Sequence, residues 1–179
     1  ILTLAIFIGM IATLVRSRLT NRTLTLPKFR LEWLVFVSVI PQVLTFYIPI
    51  VGQRIPEAVV PVIQFITMLG LLVFCAFNFF QPGVWLLGLG LVSNFLVIFL
   101  NGGWMPILPE TLHRMVPTQP IEIWEVGARL GLTKDKIFTY EDVNLVFLID
   151  RFTLPEWIPY KVAFSLGDIF ISIGVVVLL

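Results

Sequence analysis

From Ala58 to Pro109 the chain has no Asp, Glu, Lys, Arg or His, a stretch of 52 residues without a formal charge. One α-helix needs about 20 apolar residues to cross a hydrocarbon core, so the stretch is too long for a single span. Phe80-Gln81-Pro82-Gly83 supplies the break, and two spans joined by a tight turn are expected. Charge is scarce elsewhere as well. Only 13% of residues are Asp, Glu, Lys or Arg against 58% hydrophobic, and the mean hydropathy of +0.99 excludes an ordinary soluble domain. Cys75 is the sole cysteine, which excludes an intrachain disulfide and a cysteine-based zinc site. Its mid-span position fits a small buried thiol. A net charge of +1 without a clustered basic face gives no support to nucleic-acid binding.

What is present is organised by hydrophobicity. Five spans are expected, at about 1–15, 33–51, 59–79, 84–100 and 162–179, making one polytopic domain over 1–179. Pro41 is expected to kink the second, and Trp33 and Tyr47 to anchor it at the interfaces. Ile1–Val15 has no basic region before it and no small-residue cleavage site after it, so no cleavable signal peptide is recognised. The chain begins without Met, and a few preceding residues are expected. Arg16, Arg18, Arg22, Lys28 and Arg30 fall in one loop without an acid, which places that loop in the cytoplasm. The N-terminus is then outside, the C-terminus inside, and 101–161 outside.

An outer segment of this length is expected to be ordered. A short helix is predicted over Pro109–Val116. Interfacial helices are predicted over Pro120–Leu130 and over Tyr140–Phe152, the second with Thr139 and Asp142 as its capping pair. The fold class is thus an all-α integral membrane protein of five transmembrane helices, with short interfacial helices on its outer side.

Asp168 is the most demanding residue, because an acid at the centre of a span costs roughly 2.5–3.5 kcal/mol. Ser165, Asp168 and Ser172 share one helical face, as do Asn94 and Asn101. Asp168 is expected to lie at the depth of Asn101, Gly102 and Gly103 and to accept hydrogen bonds from them. Those residues, with Asn94 and Ser165, form either a polar lock between loop and bundle or a cation or polar-solute site, and the lock is preferred. Gly88 and Gly90 are read as points of close helix approach, and Gly102 and Gly103 as a left-handed cap.

Other features carry less. His113 has no evident nucleophile partner and sits beside Arg114, as a solvated or interfacial residue would. Glu122 and Glu125 read as the wet face of a helix. No Gly-Lys-Ser or Gly-Lys-Thr phosphate loop occurs. No catalytic residue and no metal site is assigned, and the cofactor is unknown. Sixteen Phe and five Trp serve packing and lipid contact, although they could border a chlorin, quinone or carotenoid.

Asn101-Gly102-Gly103-Trp104-Met105-Pro106, Leu31-Glu32-Trp33-Leu34, the run from Trp85 through Asn94, the stretch Leu145–Pro155 and Phe164-Ser165-Leu166-Gly167-Asp168 resemble a bacterial family of small polytopic membrane proteins of unknown function. Ile149 stands before Asp150 where that family tends to place Gly. The resemblance covers nearly the whole chain. It implies a fold and a location in the bacterial plasma membrane, and no activity.

The expected role is a non-catalytic subunit, accessory or structural, packed against lipids and other membrane-protein subunits. An energy-transducing or pigment-containing assembly is one form of this. The alternative is a small-solute or ion carrier with its polar site at Asp168, although no inverted repeat is evident.

Overall fold

Hydrophobic patterning produces five long helices in the computed structural model, which describes residues 2–20, 28–155 and 157–179. Ile1, Arg22 with the rest of 21–27, and Glu156 lie outside the described residues. The long helices are α1 (Leu2–Thr20), α2 (Trp33–Tyr47), α4 (Val60–Phe77), α5 (Val84–Leu100) and α7 (Leu166–Leu178). Two short ones are α3 (Pro49–Gly52) and α6 (Pro109–Met115). The chain is mostly helical.

Among the described residues, Glu57–Phe77 is the one helical unit long and apolar enough to cross a membrane. Trp33–Tyr47, Val84–Leu100 and Leu166–Leu178 are apolar but shorter. Five transmembrane helices are therefore not supported by helix length, and local sequence explains the shortfalls. Ile48 precedes Pro49 and is held extended (φ −108°, ψ 98°), which ends α2. α5 stops at a six-residue closure: Gly102 and Gly103 take φ of +70° and +86°, and the Gly103 N–H donates to the Ile98 carbonyl at 2.8 Å. α7 starts late because Ala163–Phe164 is extended and Ser165 is the N-cap.

The segment 101–161 is not all-α. Strand β1 (Met105–Ile107) pairs in parallel with β2 (Asp135–Ile137), and Ile107 bridges Asp150. β3 (Phe152–Thr153) pairs antiparallel with β4 (Ala163–Phe164). The short helix expected at 109–116 is present as α6, with Pro109 in its first turn. The two interfacial helices are not. Around 121–130 there is one 3₁₀ turn, Ile121–Ile123. Gly127 (φ +85°) turns the chain so that its N–H, and that of Leu130, donate to the carbonyls of Ile137 and Asp135. Backbone pairing with β2 thus replaces intrahelical bonding. Over 140–152 the chain runs in turns, because Leu145 adopts φ +56° and the Thr139 hydroxyl meets Asp142 Oδ2 at 2.5 Å within a turn. A residue with a Cβ at positive φ cannot continue an α-helix.

The helices pack in the order α1, α7, α5, α4, α2. Glycine sets the closest of these contacts. Gly83 meets Gly174, and Gly90 meets Gly167, across antiparallel α5 and α7. A Cβ on Gly83 or Gly90 would overlap the carbonyl oxygen of its partner. Gly83, the N-cap of α5, and Gly90 are seven residues apart, as are Gly167 and Gly174, which lie two helical turns apart on one face of α7.

Three clusters form the core. One joins α4 and α5 to the segment 101–161 through Met68, Val97, Ile98, Met105, Leu148 and Ile149. A second packs Phe74, Cys75 and Val84 at the opposite end. The third, around Ile107, Leu112 and Ile137, belongs to the segment 101–161 itself, which forms a cap over the bundle.

Candidate functional site: the junction of bundle and cap

Ser165 opens α7 with its backbone extended and its side chain fully buried. Its hydroxyl accepts from the Asp168 N–H, and the Asp168 carboxylate Oδ2 accepts from the Ser165 N–H, each at 3.1 Å. This is a capping box with Asp in the place usually held by Glu or Gln. Asn94 on α5 closes the network. Its Nδ2 donates to Asp168 Oδ1 at 2.8 Å, and its Oδ1 accepts from the Ser165 hydroxyl at 2.8 Å. Both carboxylate oxygens of Asp168 are therefore engaged. Gly167 permits the approach, since a Cβ there would overlap Asn94 Oδ1.

Asn101, expected beside Asp168, is occupied elsewhere. It caps α5 and reads the backbone of Asn144: Oδ1 accepts from the Asn144 N–H at 2.9 Å, and Nδ2 donates to the Asn144 carbonyl at 3.0 Å and to the Val97 carbonyl at 2.6 Å. The reason is depth. α7 begins at Leu166, so Asp168 sits in its first turn opposite Asn94, two turns before Asn101 along α5. Gly102 and Gly103 end the helix and contribute no bond to Asp168 in this network. Of the expected set, Asp168, Asn94 and Ser165 come together; Asn101 makes a separate tie to Asn144, and Gly102 and Gly103 close α5. Ser172, on the same face as Ser165 and Asp168, leaves its hydroxyl buried without a partner.

A third group was not foreseen. Lys134 reaches Asp150 Oδ2 at 2.8 Å and Asp135 Oδ1 at 3.1 Å. The backbone of β1 holds both ends of this pair, because the Met105 N–H donates to the Lys134 carbonyl and the Asp150 N–H to that of Pro106. Burial pushes the Asp150 carboxyl up to about 8. The Lys134 ammonium pulls against that, while Asp135 and Asp168 add to it. Burial disfavours the Lys134 charge, yet Asp135, Asp150 and Asp168 outweigh it and hold the ammonium well above its usual range. Asp168 acts on both residues, so the capping network and the ion pair share one electrostatic neighbourhood. Asp150 is 2% exposed, and its Oδ1 has no hydrogen-bond partner. The adjacent Lys134-Asp135 was a weak signal in the sequence, and nothing marked Asn144.

Among the described residues no three His, Cys, Asp or Glu side chains are grouped to hold a metal ion. His113 Nδ1 lies 2.8 Å from the Gln119 carbonyl, a contact within the cap. Gly88 meets Cys75 only at ordinary contact distance, so Gly90 alone of that pair serves close approach to α7.

The structure thus defines a mostly helical protein whose mixed cap is tied to a helical bundle through buried polar groups. Residues 27–179 match the family of unknown function DUF5317, and the chain belongs to that family. No curated protein matches the chain, and no solved structure does.

Proposed function

We propose that the protein is a non-catalytic integral membrane protein of the bacterial plasma membrane, an accessory or structural subunit that packs against lipids and other membrane proteins. In this reading α1, α2, α4, α5 and α7 all enter the membrane, with the short ones completed by their flanking segments. The basic residues from Arg16 to Arg30, of which Arg16 and Arg18 belong to the last turns of α1 rather than to the loop expected from the sequence, face the cytoplasm, and the cap faces outward. Apolar side chains exposed along these helices, among them Phe36, Ile40, Ile66, Leu89, Phe99 and Val177, support an embedded bundle.

The observation that carries the structural role is the full engagement of Asp168. Its oxygens are taken by Asn94 and Ser165, which favours a lock over an open ion site. A small-solute or ion carrier with its polar site at Asp168 is the second reading; the buried, unpartnered Oδ1 of nearby Asp150 favours it.

Two measurements test this. Cysteine placed at 22 reacts with a membrane-impermeant reagent only from the cytoplasmic side, and cysteine at Glu141 only from outside; the reverse pattern removes the topology. Purification in mild detergent yields stoichiometric neighbouring subunits. A lone homogeneous protein that moves an ion across vesicle membranes would favour the carrier.

A further inference from the structure

Two open depressions of about 580 and 540 Å³ share Gly102, Trp104 and Lys136 and form one groove at the rim of the cap. Its floor is the Trp104 indole, with the Lys136 ammonium 5.4 Å from the ring centroid. Its charges are of both signs. Glu57 Oε1 lies 3.5 Å from Lys136 Nζ on one side, and exposed Asp142 lines the other. Lys136 is the cation with capacity to spare here. Arg129, also above Trp104, is spent on the carbonyls of Leu132 and Thr133, and Lys134 on its two carboxylates. Lys136 has one long, half-exposed ion pair.

The groove is also amphiphilic. Leu100, at the end of α5, forms one wall, and Ala58, in the 3₁₀ turn before α4, with Pro61 in the first turn of α4, forms another. Below them the outer faces of these helices carry exposed Val62, Ile66 and Phe99, and Phe99 belongs to an aromatic cluster with Phe65 and Phe95. A polar groove with both charge signs thus runs into an apolar helix face.

We propose that this groove seats the headgroup of a zwitterionic aminophospholipid of the phosphatidylethanolamine type. The phosphate rests on Lys136, the primary ammonium donates to Asp142, and an acyl chain descends along α4 and α5. One cation between two carboxylates disfavours a headgroup with net negative charge. A quaternary ammonium has no N–H to donate to Asp142. The proposal rests on the membrane-embedded reading.

The test is thermal unfolding of the detergent-purified full chain with added phosphatidylethanolamine, phosphatidylcholine or phosphatidylglycerol. Far above its dissociation constant, phosphatidylethanolamine raises Tm by roughly 5 °C more than the other two. Lys136→Met removes that excess, and Asp142→Asn brings phosphatidylethanolamine down to the level of phosphatidylcholine. If Lys136→Met unfolds the protein, the exposed Asp142→Asn decides alone. Equal shifts for the three lipids, or an excess that survives Asp142→Asn, overturn the headgroup site while the embedded reading stands. A chain released from membranes by alkaline carbonate overturns both.

Discussion

Asn101 holds Asn144 by both backbone atoms, its amide donating to the carbonyl and accepting from the N–H as a neighbouring strand would. Asn78, at the end of α4, holds Arg30 in the same way, at 2.7 and 2.8 Å. Each asparagine caps one helix of the α4–α5 hairpin and fixes a distant loop against it. The side chain supplies one donor and one acceptor in fixed opposition, which Asp and Leu cannot.

Asn101→Asp therefore loses the donor to two carbonyls and brings charge into a buried position. We expect a loss of about 1–3 kcal/mol and faster amide exchange across 141–149, read by hydrogen-exchange mass spectrometry. Unchanged exchange there would remove Asn101 as the tie to the cap.

Asp168→Asn retains one oxygen for two donors and should cost about 1 kcal/mol in thermal or denaturant unfolding. Asp168→Leu strands the Asn94 amide and the Ser165 N–H together, at ~1–3 kcal/mol for each. Equal stability of the two variants would argue against the lock.

Gly90→Ala and Gly88→Ala separate packing from helix propensity. At Gly90 a methyl meets the Gly167 carbonyl and the Ile171 backbone, so α5 and α7 must part, at about 1–3 kcal/mol. At Gly88 it reaches Cys75 at 3.5 Å, and the gain in helix propensity, roughly 0.5–1 kcal/mol, should dominate. The two melting temperatures should move in opposite directions.

The Lys134–Asp150 pair gives a pH dependence of definite sign. Asp150 is raised to about 8 in the fold, so the folded state holds its proton where the unfolded chain has lost it. Stability should fall as pH rises from about 4 to 8. Lys134 is raised above its usual value, so its contribution is full below about 10.5 and is lost above that. Asp150→Asn should flatten the change in melting temperature between pH 5 and 8. A wild-type protein that gains stability over that range would contradict the assignment.

Much of the helical framework was legible. A 52-residue stretch without charge, broken at Gln81-Pro82-Gly83, locates α4 and α5, and Gly102-Gly103 marks the end of α5 by demanding positive φ. Asp168 was visible because an acid in an apolar run needs donors. Its partners were displaced by two turns because the start of α7 depends on the β3–β4 pairing, a contact that hydropathy does not encode. The cap was misread for a related reason. Residues 121–130 have helical periodicity, but their backbone groups find partners on β2, and long-range pairing overrides local preference. The matching seven-residue spacings, Gly83 to Gly90 and Gly167 to Gly174, could have fixed the register of α5 against α7. They become informative only when the two segments are compared.

α1 rests along α7, where the Thr13 hydroxyl donates to the Leu179 carbonyl across 166 positions of sequence. A ribosome making this chain therefore releases α1 long before its partner exists. Until α7 arrives, Ala5 and Gly9 face whatever surrounds them. Completion of α7 thus closes two seams together, one against the glycines of α5 and one against α1. A chain stopped before Ser165 lacks both.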